Sequence, residues 1–328
     1  MIVSKTPLRM SYVGGGSDLP AFYREELGAV LSTSIDKYMY ISVNRKFDNR
    51  IRLNYSRTEE VDVPSQIEHP LVREALGLLE IKGGIEIAST ADIPSKGSGL
   101  GSSSTYTVGL LNALYAYKNS FVSKETLARQ ACEIEIVRCG EPIGKQDQYA
   151  AAYGGLNLIR FHSDESVSVD PVICKPSLLR TLEESTLIFY TGRTRSASVI
   201  LAEQSKALVG RDQKILMRRM VQLAFDMKAE LESDSLDEFG AMLDENWRLK
   251  AQIVSGITDP QINAWYRTGM AHGAQGGKLL GAGNGGFMMF FAPPSTHASI
   301  IQVLGELRSV KFRFDRGGAQ IVYYQPVE

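Results

Sequence analysis

Residues 92–104 read Asp-Ile-Pro-Ser-Lys-Gly-Ser-Gly-Leu-Gly-Ser-Ser-Ser, and no other stretch constrains the fold as much. Three glycines alternate with small residues, and three serines then open an apolar segment expected to be a helix. Gly97, Gly99 and Gly101 let the backbone turn tightly and approach a ligand with no Cβ in the way. A helix starting here aims its unpaired N–H groups and its positive dipole end back at the loop. The hydroxyls of Ser102, Ser103 and Ser104 can donate to phosphate oxygens or ligate Mg²⁺. The loop therefore reads as a phosphate cradle. It is not a Walker A loop, which needs Gly-x-x-x-x-Gly-Lys-Ser/Thr, because serine and not lysine follows Gly101. A dinucleotide fold would place an acidic residue about twenty positions on, and Phe121 stands there instead. A flexible Gly/Ser linker is the bland alternative, but linkers do not run straight into an apolar helix.

The 328 residues suit two modest domains or one large one. Hydrophobic content of 44% with 22% charged residues is that of an ordinary globular chain. The balance of 36 basic and 37 acidic residues leaves no basic surplus for nonspecific nucleic-acid binding, so no nucleic-acid partner is expected. Cys132, Cys139 and Cys174 form no C-x-x-C pair, and His69, His162, His272 and His297 add no zinc spacing. An odd cysteine count without a framework fits a reducing compartment. The first residues lack a signal-peptide pattern, and no apolar run reaches membrane-spanning length. The expectation is a cytoplasmic protein with no membrane partner.

β-forming residues mark strands at 38–43, 51–55 and 85–87, the last leading into the loop. Behind the loop, Val108, Leu111, Leu114 and Tyr115 keep a three–four spacing that predicts one apolar stripe. A helix is predicted over 123–139 with Ser123 as N-cap, and a strand over 156–161. The polar segment near 162–180 holds a soft boundary, giving expected domains at 1–168 and 169–328. Amphipathic patterns then cover about 196–209, 212–232 and 235–255, and Asp259-Pro260 opens another helix. Residues 276–286 form a second glycine-dense loop before a strand at 287–291. A helix near 296–308 and strands at 310–314 and 319–324 close the chain.

Several residues could carry chemistry. A strand runs into Gly14-Gly15-Gly16, then offers Ser17 and Asp18. Asp18 can accept sugar hydroxyls and Arg9 can balance phosphoryl charge. The alternatives are a cap for a helix at 19–27 and a surface arginine. In the 123–139 helix, about 100° per residue puts Leu127, Ala128, Ala131, Cys132, Ile134 and Cys139 on one apolar arc. Glu135 falls near its middle and Glu133 about 160° away. A carboxylate in an apolar arc is costly unless partnered. Glu135 thus needs a metal or a buried salt bridge to Arg138 or Lys145, while Glu133 reads as solvated. Asp147 lies in a polar segment read as a loop, where it can act as a base, orient a hydroxyl, or cap the Ala-rich helix that follows. Arg193 and Arg195 precede a helix start, which makes either an anion site or exposed charge.

Together these segments resemble the GHMP kinases, the superfamily of galactokinase, homoserine kinase, mevalonate kinase and phosphomevalonate kinase. Three motifs match in order, at Thr6–Asp18, Pro94–Ser103 and Lys278–Gly286. Within the superfamily, the wording of Thr6–Arg9, Gly14–Pro20, Gly144–Ala151 and Gly154–Asn157 is most similar to bacterial D-glycero-D-manno-heptose 7-phosphate kinases. The resemblance implies an α+β fold, the GHMP kinase fold, with a mixed α/β N-terminal domain and a ferredoxin-like C-terminal domain. It implies ATP and Mg²⁺ as cofactors, and transfer to the anomeric hydroxyl of a sugar phosphate by a monomer or homodimer. Pro94 and Gly97, Ser98, Gly99, Leu100, Gly101, Ser102, Ser103 and Ser104 would then hold ATP. Ser103 and Glu135 would hold the metal, and Asp147 would be the catalytic aspartate with Arg9 beside it. Gly15, Gly16, Ser17, Asp18 and Gly283 would face the sugar, and Lys145, Arg193 and Arg195 are candidates for its distal phosphate. Galactokinase has Gly-Glu-His where this chain has Gly14-Gly15-Gly16, which argues against galactose. A fucokinase-like sugar 1-kinase and an inactive ATP- and sugar-binding sensor are the rival implications. The presence of Asp147, Glu135 and Ser103 counts against the sensor.

Overall fold

The computed structural model describes residues 1–93, 97–193 and 197–326. In chain order it runs β1 (Ile2–Val13), α1 (Pro20–Tyr23), β2 (Gly28–Arg45), β3 (Ile51–Asn54), β4 (Thr58–Val61), α2 (Pro70–Leu78) and β5 (Ile85–Ala91). Next come α3 (Ser102–Tyr117), α4 (Lys124–Cys132), α5 (Gln146–Tyr153), β6 (Leu156–Phe161), β7 (Val167–Pro171), α6 (Pro176–Glu184) and β8 (Thr186–Tyr190). The second half holds α7 (Ala197–Ala207), α8 (Arg211–Glu232), α9 (Phe239–Ile253), α10 (Pro260–Ala271), β9 (Gly276–Leu279) and β10 (Phe287–Phe291). It closes with α11 (His297–Val303), β11 (Arg308–Val310), β12 (Phe314–Asp315) and β13 (Gln320–Tyr324).

The long strand β2 organises the first sheet. One edge pairs antiparallel with β1 from Ile2↔Val43 to Val13↔Leu31, with a register shift at Pro7/Leu8. The other edge is shared by β5 at Met39–Arg45, β12 at Ser34 and Ile35, and β6 at Gly28–Thr33. The second sheet has the order β11-β8-β10-β9, all antiparallel. The division expected at 168/169 falls inside β7, which pairs with β6. The last two strands return to the first sheet, β13 on β1 and β12 on β2.

One apolar core runs across both halves. Leu8, Met10 and Tyr12 of β1 share it with Met217, Phe239, Leu243 and Phe287, and the Tyr12 and Phe239 rings meet edge to face at 5.1 Å. Lys278 of β9 pins the same seam, its Nζ donating to the carbonyls of Ser11 and Tyr12, both at 2.8 Å. Burial pushes that ammonium well below the ordinary lysine range.

Several local expectations change. The single apolar stripe expected on α3 does not describe it, because Ser104 to Leu114 are buried without a break. The helix is enclosed by β1 and β2 on one side and by α2, α4 and α5 on the others, so every face is a core face. The helix at 123–139 starts as expected, with Ser123 accepting from Thr126 N, but α4 ends at Cys132 and Glu133–Arg138 is a π-helical turn. The helix considered at 19–27 shortens to α1, and residues 276–279 of the glycine-dense stretch are strand. Asp147 stands in the first turn of α5, not in a loop.

Because α3 is enclosed on all sides, Leu110→Ala, off the predicted stripe, is expected to destabilise as much as Leu111→Ala on it. Each should cost about 2–5 kcal/mol in denaturant unfolding. A near-neutral Leu110→Ala would mean that α3 is not a central helix.

Candidate active site

The phosphate-type loop is built by hydrogen bonds to its neighbours. Gly101 is the left-handed N-cap of α3. Ser98 Oγ pairs with Ser102 Oγ at 2.7 Å and accepts from Leu100 N, so these two serines hold the loop's shape. Leu100 is wholly buried, and its carbonyl accepts from Arg9 N, tying the loop to β1. Gly99, at φ +76°, has no room for a side chain, since a Cβ there would stand 2.3 Å from Leu280 O. A Cβ on Gly281 would come within 2.5 Å of Gly99 Cα. The two glycine loops therefore touch backbone to backbone. Pro94 lies outside the described residues.

Ser103 is the exposed member of the serine run, and its Oγ donates to Glu135 Oε1 at 2.7 Å. Gln148 Nε2 donates to the other oxygen, Oε2, at 2.6 Å. Glu135 is fully buried and its carboxyl is pushed up to about 7, first by burial and last by repulsion from Asp147. Ser103, Ser104 and Gln148 pull the other way. The salt bridges considered for Glu135 do not form. Arg138 pairs with Glu133, and Lys145 pairs with Glu165 at 2.5 Å. The helical-phase reading thus placed both glutamates on the correct sides, although the backbone there is π-helical.

Arg9 is buried, not a surface arginine. It grips Asp147 with both prongs, Nε to Oδ1 at 2.7 Å and Nη2 to Oδ2 at 2.8 Å, the strong bidentate form of this contact. Its Nη1 donates to Gly99 O at 2.6 Å, joining the carboxylate to the phosphate-type loop. Asp18 is buried and accepts from Gly16 N, Gln146 N and Gln146 Nε2 at 2.9, 3.2 and 3.3 Å. Burial first and Asp147 second push its carboxyl upward, against those backbone donors.

A cavity of about 610 Å³ brings these groups together at the seam between the halves. That lies within the range of small-molecule sites, roughly 300–1,000 Å³. Arg9, Gly16, Asp18 and Asp147 line it, with Gly97, Ser98, Gly99, Gly101, Ser102, Ser103 and Ser104 along one wall. Other expected residues point elsewhere. Ser17 Oγ is bound to Ala29, and Gly283 packs on the backbone of Ile257. Gly15 lies behind the lining, beside Gln146 and Lys250. Lys145 faces Glu165 and the Tyr23 ring, and Arg193 pairs with Asp259 at 2.7 Å. Arg195 lies outside the described residues. Sequence reasoning missed Gln146, Gln204 and Lys250, which all line the cavity. A signal existed for Lys250. Phe239, Leu243, Asn246, Trp247, Lys250 and Ile253 form the buried face of α9 at three–four spacing, and a lysine on such a face needs a reason.

A glycine loop on a buried helix, with a guanidinium-held carboxylate beside it on one cavity, suits chemistry of the phosphotransferase class. The comparisons with known proteins agree. The GHMP kinases N terminal domain matches residues 68–155, and the GHMP kinases C terminal domain matches residues 227–307. A D-glycero-alpha-D-manno-heptose 7-phosphate kinase of Campylobacter jejuni is 31% identical, over 92% of this chain and 93% of that protein. A bifunctional fucokinase/GDP-fucose pyrophosphorylase of Arabidopsis thaliana is 27% identical over 89% of this chain, which spans 30% of that longer protein. The crystal structure of a D-glycero-D-manno-heptose 1-phosphate kinase from Bacteroides thetaiotaomicron superposes with a TM-score of 0.82 at 26% identity, covering 99% of this chain and 100% of that one. The chain belongs to the GHMP kinases. It is an ATP-dependent phosphotransferase with the mixed α/β fold of that family.

The raised Glu135 carboxyl has a consequence for stability. The folded chain holds that proton more tightly than the unfolded chain, so stability falls as pH rises from about 4.5 to about 7, and the loss is complete above 7. In EDTA, Glu135→Gln should raise the melting temperature by several degrees at pH 8, and the gain should vanish by about pH 4.5. Glu133→Gln should leave the profile unchanged. A pH-independent Glu135→Gln difference would contradict the buried, unpaired carboxylate.

Proposed function

We propose that this chain transfers the terminal phosphoryl group of ATP to the anomeric C1 hydroxyl of D-glycero-D-manno-heptose 7-phosphate. The 1,7-bisphosphate product would feed nucleotide-activated heptose and surface polysaccharide synthesis. On this reading the enzyme works in the cytoplasm, as a monomer or homodimer. The observation that carries it is the Arg9–Asp147 pair, hydrogen-bonded to the phosphate-type loop and opening on the same cavity as Asp18. The substrate is supported by the full-length similarity to the Campylobacter jejuni heptose 7-phosphate kinase.

Asp147 orients the acceptor hydroxyl and takes its proton. Arg9 holds that carboxylate in place and offers positive charge to the transferred group. Asp18 accepts hydrogen bonds from sugar hydroxyls. The nucleotide phosphates lie along Gly97–Ser104, at the N-terminus of α3. Ser103 and Glu135 fit Mg²⁺, since a hard cation suits a hydroxyl beside a buried carboxylate that has no cation among the described residues. Among the described residues no cluster of three or more His, Cys, Asp or Glu could hold a metal. Mg²⁺ bound here would have Ser103 and Glu135 as its protein ligands. When bound, it neutralises charge on those phosphates.

A second reading, an unphosphorylated deoxyhexose as acceptor, is favoured by one observation. Lys145 and Arg193, the described candidates for the distal phosphate, are each held by a carboxylate.

ADP release with Mg·ATP, measured on heptose 7-phosphate, heptose 1-phosphate, heptose, fucose and galactose, separates these readings. Heptose 7-phosphate should give the highest kcat/KM. Turnover of fucose alone would replace the substrate. Asp147→Asn should lower kcat by about 10²-fold or more while nucleotide affinity stays within about 3-fold, and near-normal turnover would remove Asp147 from the catalytic role. Glu135→Gln should raise the Mg²⁺ concentration needed for half-maximal rate.

A further inference from the structure

The cavity holds one more charged group that the chemistry above does not use. Lys250 lies on the buried face of α9 and is 4% exposed, yet it lines the cavity with Arg9, Asp18 and Asp147. Its hydrogen bond goes to a backbone carbonyl, Nζ donating to Gly281 O at 2.6 Å, and among the described residues no carboxylate lies within salt-bridge distance of it. An ammonium group has three N–H donors, so two remain for a ligand. A buried cation without a counterion is costly to the fold, and a bound anion offsets that cost.

Its position says which anion. Gly281 is the glycine that packs on Gly99, so Lys250 is tethered where the second glycine loop touches the phosphate-type loop. On its other side a Cβ on Gly15 would stand 3.9 Å from its Nζ, and Gly15 leads toward Asp18. Lys250 therefore stands between the nucleotide wall and the acceptor wall. Arg9 is placed in the same manner, anchored on Gly99 O. Each cation is fixed on the carbonyl of one glycine loop.

We propose that Lys250 is a phosphoryl-binding cation of this site, its ammonium contacting the γ-phosphoryl group as that group passes from ATP to the acceptor. This rests on the kinase reading but not on which sugar accepts. In the transfer, the bond from γ-phosphorus to the bridging oxygen breaks, and its electron pair stays on ADP. A lone pair of the acceptor oxygen forms the new P–O bond, and the acceptor's proton goes to Asp147. Lys250 stays protonated throughout, sharing the charge of the equatorial oxygens.

The charged groups facing Lys250 are Arg9 on β1, Asp18 after β1, Asp147 on α5 and Lys278 on β9. Burial and then Arg9 push its ammonium down to about 8, and the two aspartates oppose this. The protonated form is thus lost as pH rises through about 8, and kcat/KM, which reports the free enzyme, should fall there.

The test uses Lys250→Met and Lys250→Arg in the full chain, with thermal unfolding as a folding check. Two readouts are compared, ADP release on the best acceptor, and calorimetric binding of Mg·ADP with and without aluminium fluoride, a mimic of the transferring phosphoryl group. Lys250→Met should lower kcat by about 10²–10³-fold and weaken the aluminium fluoride complex by about 30-fold or more. Its affinity for Mg·ADP alone should stay within about 3-fold. Lys250→Arg should recover at least about a tenth of kcat and abolish the fall in kcat/KM above pH 8. Unchanged kcat and unchanged aluminium fluoride binding in Lys250→Met would overturn the proposal, as would a rise in acceptor KM alone. Absence of wild-type turnover on every sugar would count against the substrate reading, and the aluminium fluoride arm, which needs no sugar, still decides on Lys250. If Lys250→Met does not fold, Lys250→Gln replaces it under the same readouts.

Discussion

Gly99 and Gly281 meet with no side chain between them, and the geometry of the whole site depends on that contact. It brings a loop from the first half of the chain against one from the second, backbone to backbone. Each loop then exposes a carbonyl that anchors a cation, Gly99 O for Arg9 and Gly281 O for Lys250. Asp147 is placed by Arg9, and Arg9 by the loop, so a shift of either glycine would move Arg9, Asp147 or Lys250. Lys278 secures the same seam from behind by holding the carbonyls of Ser11 and Tyr12.

Three ionisable groups around this seam carry burial that ordinary packing would not tolerate. Glu135 and Asp18 are buried carboxylates held by N–H and O–H donors, and Lys250 is a buried ammonium held by a carbonyl. Such groups are costly to bury and become more favourable when a ligand meets them. The core that spans both halves supplies the rigidity that keeps them in place.

What could be read in the sequence was local. The glycine loop, the Ser123 cap and the inward phase of Glu135 each follow from residues within a few turns of one another, and each stands as expected. What could not be read depends on partners far along the chain. The enclosure of α3 comes from elements spread along the chain, so its own spacing could not reveal it. Lys145 and Arg193 looked free because Glu165 and Asp259 lie 20 and 66 positions away. Asp147 was misplaced in a loop because glycines upstream masked the start of α5. Lys250 shares a cavity with a loop about 150 residues earlier in the sequence, and only its place on an apolar helix face hinted that it turns inward.

The return of β13 to the first sheet bears on how the protein is made. β1 pairs with β2 early in the chain, but its outer edge stays open until Gln320–Tyr324 arrive to cover it. During synthesis β1 must wait, as a bare edge, until the chain has grown by about 320 residues. Pairings of such long separation form slowly, and an uncovered edge is a template for joining other chains. Reaching the native state cleanly therefore depends on Gln320–Tyr324, and on whatever shields β1 until they arrive.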